Sequence, residues 1–136
     1  MLEILDHPAD LGFRVRGNTM RELFGAAAEA LMSVAVDMES VTPRSKHSMS
    51  AHADDPESLL VNWLSEVLYW LDGKKMVFRR FVLLEAGPTR VRAEAFGEPR
   101  DPSHHRGKII VKGITYHQLK LWQDETGWWA DIYLDI

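Results

Sequence analysis

The strongest constraint on the fold is an amphipathic pattern between Asp54 and Gly73. Its apolar residues recur every three or four positions, which is typical of one face of an α-helix. Asp54 or Asp55 can cap the first turn, Pro56 suits the first turn, and Gly73 is typical of the residue after a helix. So broad an apolar face must be buried against another layer of structure. The face consists of Leu59, Leu60, Trp63, Leu64, Val67, Leu68 and Leu71.

A second helix is predicted from Thr19 to about Ala35. Thr19, followed three residues later by Glu22, forms a capping box, and apolar residues again recur with helical spacing. The other periodic segments are typical of strands, and Gly87-Pro88 and Asp124–Gly127 separate the strands of two hairpins. The predicted strands are Met1–Asp6, Phe13–Arg16, Lys46–Ala53, Met76–Glu85, Arg90–Phe96, Lys108–Val111, Tyr116–Trp122 and Trp128–Asp135.

This order of elements predicts an α+β fold, with two helices packed on a largely antiparallel or mixed β-sheet. The 136 residues suit a single domain, and no Pro-, Gly- or Ser-rich linker divides residues 1–136. Gly-rich phosphate loops of the P-loop and dinucleotide types do not occur in the sequence. Nucleotide-binding enzymes of those two classes are therefore disfavoured.

The composition excludes some kinds of catalytic and metal chemistry and indicates where in the cell the protein is found. The sequence contains no cysteine, which excludes thiol catalysis and thiolate metal sites. No apolar run approaches the roughly 18–20 residues that span a bilayer, and the first ten residues lack the basic start of a secretory signal. We therefore expect a cytoplasmic protein with no membrane partner. The net charge of −4 argues against a surface that grips nucleic acid on all sides.

Charge is distributed unevenly along the chain. From Lys74 to Lys112 there are ten basic residues and four acids, so this segment carries about +6 and the remainder about −10. Solvated strand faces and turns are the more ordinary interpretation of such a segment. The alternative interpretation is a contact face for an acidic partner or for RNA.

The two ends of the chain carry the residues best suited to a cation. His7 and Asp10 lie in a loop that leaves a strand, and Asp10 offers the oxygen that hard cations prefer, unless it caps nearby backbone amides. The last predicted strand runs directly to Asp135 and Ile136, which brings the Asp135 carboxylate close to the terminal carboxylate. Two such groups repel unless a cation or a basic side chain bridges them. This pattern predicts a cation site, and solvated charges are the alternative.

Further candidate residues lie between residues 97 and 117. Glu98 and the tandem His104-His105 belong to a turn-rich loop that we predict to be solvated, as most loops are. A transition-metal site at the two histidines is the alternative, although adjacent histidines seldom converge on one metal without other ligands. Lys112 is suited to bind phosphate or to neutralise carboxylates, and His117 would share a strand face with Thr115. No serine has an evident base beside it, so no nucleophile is predicted.

Five segments, taken in order and spacing, resemble the archease family over essentially the whole chain. Archeases are small cytoplasmic α+β proteins that act as accessory, chaperone-like factors of the RtcB-type RNA-splicing ligase. That ligase joins RNA ends in tRNA splicing and RNA repair, using GTP and Mn²⁺. The resemblance implies a non-enzymatic protein that promotes guanylylation and multiple turnover of the ligase and meets RNA only through it. The segments are His7-Pro8-Ala9-Asp10-Leu11-Gly12, Leu59–Leu68, Gly97-Glu98-Pro99, Lys112-Gly113-Ile114-Thr115-Tyr116-His117 and Asp135-Ile136.

The resemblance also implies a metal site. Family members hold a divalent cation, observed as calcium, through an early-loop aspartate, a C-terminal aspartate and the last residue. These positions match Asp10, Asp135 and Ile136, with Mg²⁺ or Mn²⁺ as alternative cations. The family's functionally important lysine matches Lys112.

The matching segments supply three more candidate residues for partner contact, namely His7, Glu98 and His117. The sequence departs from the family pattern at Pro8, where Thr is common, at Gly113, where Ala is common, and at Arg100, where an aromatic residue is common. Pro8 and Gly113 change the backbone freedom beside Asp10 and Lys112.

Two other classes of function compete with this interpretation. A metal-dependent hydrolase would use Asp10, His7 and His117, but the sequence lacks a nucleophile–base pair and the spacing of a two-histidine, one-carboxylate site. A small RNA-binding module would use the basic segment 74–112, but the sequence lacks the aromatic motifs of RNP-type domains.

Overall fold

The computed structural model describes residues 2–6 and 10–136. A short 3₁₀ turn, Met38–Ser40, follows the first helix. The helices and strands in chain order are β1 (Leu2–Asp6), β2 (Asp10–Gly17), α1 (Met20–Ala35), β3 (Ser45–His52), α2 (Pro56–Asp72), β4 (Met76–Ala86), β5 (Arg90–Pro99), β6 (Gly113–Asp124) and β7 (Gly127–Asp135).

Within the described residues the strands form two sheets, and every pair of neighbouring strands is antiparallel. The four-stranded sheet has the order β1-β2-β7-β6, and the three-stranded sheet has the order β3-β5-β4. Helix α1 packs on β2 and β4 and so contacts both sheets, while α2 packs on β3 and β6. The prediction of an α+β fold with two helices on antiparallel strands is confirmed. The division of the strands into two sheets was not predicted, because strand periodicity does not reveal pairing.

Both predicted helices are present with the predicted caps. Thr19 Oγ1 accepts a hydrogen bond from the Glu22 N–H at 3.1 Å, and the Glu22 carboxylate accepts one from the Asn18 N–H at 2.7 Å. At the start of α2, Asp55 Oδ1 accepts a hydrogen bond from the Ser58 N–H at 2.8 Å. No helix in the described part of the chain is both long enough and apolar enough to cross a membrane.

Trp63 joins the two helices at the centre of the hydrophobic core. Its ring is fully buried, and its indole N–H donates a hydrogen bond to the main-chain carbonyl of Phe24 in α1 at 3.0 Å. This bond satisfies the one polar atom of a large buried aromatic residue. The inner faces of both sheets contribute to the same core, so the helices are fixed relative to both sheets.

The predicted strand over Lys108–Val111 is wrong, because this segment caps helix α1 instead. The N–H groups of Lys108 and Ile109 donate to the carbonyls of Ala35 and Val34 at 3.0 and 3.1 Å, and Lys108 Nζ donates to the carbonyl of Ser33 at 2.9 Å. The last carbonyls of a helix have no partner inside the helix, so they attract donors from elsewhere. We call residues 107–112 the capping segment.

Strand β6 is longer than predicted and contains a wide bulge. Thr115 pairs with Tyr133, and the next pair is Lys120 with Asp131, so residues 116–119 lie opposite Ile132 alone in the described ladder. Gln118 has a φ of 57°, which a regular strand does not allow. The bulge removes His117 from the simple alternation that would have placed it beside Thr115 on one face.

Candidate cation-binding edge of the four-stranded sheet

Three segments that are distant in sequence meet at one end of the four-stranded sheet. β2 begins at Asp10, β6 begins at Gly113 and β7 ends at Asp135, and Asp135 is the residue opposite each of the other two. Lys112 donates its backbone N–H to the carbonyl of Asp135 at 2.8 Å, and Ile136 follows directly. The structure therefore brings together Asp10, Lys112, Asp135 and Ile136. We call these four residues the acidic edge.

Asp10 and Asp135 lie on the same face of the sheet. Residues directly opposite each other in an antiparallel pair have Cα atoms about 4.5–5.5 Å apart and side chains on one side. Alternation along β2 and β7 assigns this face to Arg14 and Asp131 as well, opposite to the face of the core residue Phe13. Two acids in this position repel, and their oxygens suit a hard cation such as Ca²⁺ or Mg²⁺.

Another aspartate on the same face is neutralised by the protein itself. Asp131, nearly buried, accepts two hydrogen bonds from Arg14, from Nε at 2.6 Å and from Nη2 at 3.1 Å. This bond raises the pKa of Arg14, because it stabilises the charged guanidinium. Lys120 lies opposite Asp131 on the other side. Asp131 is therefore an acid with a basic residue on each neighbouring strand, whereas the residues opposite Asp135 are Asp10 and Gly113.

Glu98 lies in the other sheet, near the end of β5, and is 5% exposed. Its Oε2 accepts a hydrogen bond from the Thr42 N–H at 2.8 Å, and its Oε1 lies 3.0 Å from Arg44 Nε. The bonds from Thr42 and from His105 lower the pKa of Glu98, because they stabilise the carboxylate. The position supports a role in holding the surrounding loops together, and the side chain offers little surface to a partner.

His105 is 1% exposed, so the prediction that its loop is simply solvated is wrong for this residue. The Asp101 N–H donates to His105 Nδ1 at 2.8 Å, which leaves the ring proton on Nε2 for a bond to Glu98 Oε2 at 2.7 Å. Sequence reasoning missed this residue because burial is set by packing from other elements. The sequence did contain a local indication that this loop is ordered, namely the turn at Asp101, whose carboxylate accepts hydrogen bonds from Ser103.

Glu98, His104 and His105 form the one group of three close metal-ligand residues found among the described residues, with candidate ligand atoms within 4.8 Å of one another. Both ring nitrogens of His105 and both oxygens of Glu98 already have partners within the protein. A metal would have to break these bonds. This cluster is therefore a structural network and not a second candidate cation site.

Two residues of the hydrolase alternative, Asp10 and His117, take different positions along the four-stranded sheet. His117 is exposed in the bulge of β6, and the bulge lies opposite Ile132, three residues or about 10 Å along β7 from Asp135. His7 lies outside the described residues.

The basic segment 74–112 does not form one surface. Lys74 Nζ lies 3.8 Å from the centre of the Trp70 ring, and Arg79 donates to the carbonyl of Met38 at 2.9 Å. Lys108 caps α1, and Lys112 belongs to the acidic edge. Arg80, Arg90 and Arg92, in contrast, share the exposed face of the three-stranded sheet.

Comparison with known proteins identifies the family. The model of the Archease protein family (MTH1598/TM1083) matches residues 2–136. The chain belongs to the archease family. It is 37% identical over 138 aligned positions to the archease of Methanosarcina acetivorans, with 98% of this chain and 94% of that protein covered. It is 38% identical to the archease of Pyrococcus abyssi, with 98% and 97% covered.

Solved archease-family structures confirm the fold. The solution structure of Methanobacterium thermoautotrophicum protein 1598 has a TM-score of 0.82 and 25% identity, covering 99% of this chain and 98% of that one. The crystal structure of a Thermotoga maritima archease, described as a possible chaperone, has a TM-score of 0.67 and 18% identity, covering 97% and 94%. The second comparison concerns the fold alone.

Proposed function

We propose that this archease is an accessory protein of an RtcB-type RNA-splicing ligase in the cytoplasm, where it promotes GTP-dependent guanylylation and multiple turnover of the ligase without catalysing ligation. Family membership supports an accessory role, as does the description of the Thermotoga maritima relative as a possible chaperone. The observation that carries the proposal is the opposition of Asp10 and Asp135 beside Lys112.

The acidic edge fits a divalent cation. Asp10, Asp135 and Ile136 would hold it, and oxygen donors favour Ca²⁺, with Mg²⁺ or Mn²⁺ as alternatives. A bound cation would supply positive charge between carboxylates that otherwise repel. The backbone bond from the Lys112 N–H to the Asp135 carbonyl fixes the main chain of this lysine at the acidic edge, and its exposed side chain would hold the carboxylates in place or meet a phosphate held by the ligase.

An accessory protein of this kind acts by binding one state of its partner more tightly than another. The acidic edge would dock near the metal and nucleotide pocket of the ligase and favour the conformation competent for guanylylation. His117, exposed on the bulge of the neighbouring edge strand, is a candidate for direct contact. Glu98 would contribute through the fold, because its oxygens are already bound within the protein.

The decisive experiment measures guanylylation and turnover of the ligase from the same organism, with GTP and Mn²⁺, in the presence and absence of this protein. We expect the wild type to stimulate both, and Asp10→Asn and Asp135→Asn to lose most of the stimulation. Asp54→Asn, which changes an exposed acid at the start of α2, is the matched control and should behave as the wild type. Absence of stimulation by the wild type, or equal stimulation by all variants, would refute the proposal.

A second measurement tests the cation directly. Isothermal titration of the isolated protein with CaCl₂, MgCl₂ and MnCl₂ should show a single site that is lost in Asp135→Asn and kept in Asp54→Asn. An assay with a small phosphoester and the same metals, without the ligase, should show no turnover. Metal-dependent turnover would favour the hydrolase instead.

A further inference from the structure

The outer face of the three-stranded sheet is exposed to solvent. Alternate residues of β3, β4 and β5 point towards the hydrophobic core, and the residues between them are exposed. The exposed set on β3 includes Ser48 and Ser50, and that on β5 includes Arg90 and Arg92. Ser50 lies opposite Arg92 in the ladder. Ser48 lies opposite Glu94, and it lines the same shallow cavity as Ser50, Arg90 and Arg92.

Positive charge dominates this face. Its cations are Lys46, Arg80, Arg90 and Arg92, and its acids are Glu85 and Glu94, in a protein whose net charge is −4. His52, opposite Arg90, is the other titratable group on the face.

Among the described residues, the acids of this face form ion pairs that are at least partly exposed to solvent. Glu85 lies 3.0 Å from Arg92 and 3.9 Å from Arg90, and Glu94 lies 3.3 Å from Lys46. Exposed pairs of this kind contribute little stability, so an incoming anion can replace the carboxylate.

The face also offers a shallow cavity and an aromatic ring. A cavity of about 240 Å³ is lined by Ser48, Ser50, Arg90 and Arg92, with Leu84 as an apolar wall. The guanidinium carbon of Arg80 lies 4.4 Å from the centre of the half-buried Phe96 ring. Hydroxyl and guanidinium donors are the usual partners of phosphate oxygens, and an arginine plane over an aromatic ring provides a surface for stacking bases.

We propose that this face binds single-stranded RNA directly, with phosphates at Arg90, Arg92 and the two serines and a base at Arg80 and Phe96. Arginines two residues apart on a strand are about 6.7 Å apart, close to the spacing of successive phosphates along an extended strand. An exposed sheet face can contact unpaired bases, whereas a protein usually reads the major groove of a duplex by inserting a helix or a two-stranded ribbon. Asp10 and Asp135 belong to the other sheet. RNA binding at this face can therefore be tested separately from the proposed activation of the ligase.

Fluorescence anisotropy of a labelled 12-nucleotide oligouridylate with the full chain tests this proposal. Each phosphate that a cation neutralises on a single strand contributes about −0.7 to the slope of log affinity against log salt, so Arg90 and Arg92 together give a slope of about −1.4. We expect a dissociation constant on the order of 10⁻⁵ M at low salt. Arg90→Gln/Arg92→Gln should weaken binding at least about tenfold and bring the slope close to zero, because both phosphate-binding cations are removed.

Two further variants distinguish the contribution of base stacking to RNA binding from the contribution of charge. Phe96→Leu should weaken binding about fivefold with little change in slope, because it removes a ring and no charge. Glu85→Gln should tighten binding, because it removes the carboxylate that competes for both arginines. Circular dichroism confirms that each variant is folded.

The control is Arg21→Gln/Arg106→Gln, which removes two exposed arginines from outside this face and should leave binding within about twofold of the wild type. An equal loss in this control, or no binding of oligouridylate at low salt, would refute the proposal. Equally strong binding of a 12-residue polyglutamate would also refute it, and would identify the face as a contact for acidic proteins.

Discussion

Asp131 and Asp135 lie on the same strand and the same face, four residues apart, yet their surroundings are opposite. The residues opposite Asp131 are Arg14 and Lys120, and Arg14 binds it through two hydrogen bonds. The residues opposite Asp135 are Asp10 and Gly113. The first acid is neutralised by the fold and is nearly buried, while the second is exposed at the end of the sheet beside another acid.

This difference separates an acid that stabilises the fold from one suited to a ligand. A buried carboxylate needs a paired cation, because an unpaired charge is costly to remove from water. A pair of opposed carboxylates at a sheet end costs stability, and a bound cation can recover that cost. The comparison therefore predicts opposite effects when the two aspartates are changed in the same way.

The largest effect is expected for Asp131→Asn. This change removes the carboxylate that accepts two hydrogen bonds from Arg14 and leaves, among the described residues, only the exposed Glu3, 3.7 Å from the guanidinium, so it should lower the free energy of unfolding by about 1–3 kcal/mol. Urea unfolding followed by circular dichroism measures this change. A loss below about 0.5 kcal/mol would mean that the Arg14–Asp131 pair is only a surface contact.

Calcium should stabilise the wild type. A ligand that binds only the folded state contributes about 2.7 kcal/mol at a concentration one hundred times its dissociation constant. The melting temperature should therefore rise with CaCl₂ in the wild type and in Asp54→Asn, and stay constant in Asp135→Asn. A calcium-dependent rise that persists in Asp135→Asn would show that the cation binds somewhere other than the acidic edge.

Acid should destabilise the protein partly through Glu98. Hydrogen bonds hold the pKa of Glu98 below its usual value of 4.5, so its contribution to stability is present above that pH and is lost as pH falls through the lowered pKa. Between pH 6 and pH 3 the urea midpoint should fall more steeply in the wild type than in Glu98→Gln. Equal slopes would mean that Glu98 has the same pKa in the folded and unfolded chain.

The smallest effect is expected for Asp135→Asn without a divalent cation. Removing one of two opposed charges should raise the free energy of unfolding by about 0.2–1 kcal/mol in the presence of EDTA. The same urea measurement checks it, with Asp54→Asn as the control. A clear loss of stability would show that Asp135 is already neutralised within the protein, as Asp131 is.

Local sequence signals were sufficient for the helices and hairpins. Thr19 with Glu22, Asp55 with Pro56, and the turn at Asp124–Gly127 act through neighbouring residues, so the sequence displays them directly. The meeting of Asp10 with Asp135 depends on the pairing of the second strand with the last, which no local pattern encodes. The family resemblance supplied that expectation, and the pairing of β2 with β7 supplies its geometry.

The failures of prediction share one physical cause. Lys108–Val111 has the composition of a strand, but its donors satisfy the end of α1, and that helix end is more than 70 residues away in the sequence. His105 is in a loop rich in turn residues, but Glu98 and the backbone of Asp101 fix it inside. In both cases a polar group from a distant or neighbouring element decided the outcome, and hydrophobic periodicity carries no information about such groups.

The bulge of β6 also affects whether two molecules of this protein can associate through the edges of their sheets. β6 forms an edge of the four-stranded sheet, and at 12 residues it would offer a long row of backbone donors and acceptors to a second molecule. Residues 116–119 interrupt that row near its middle, with Gln118 in a left-handed conformation. A bulge on an edge strand hinders the strand-to-strand association that leads to aggregation. Shortening this bulge to restore a regular strand would therefore be expected to make the protein less soluble at high concentration.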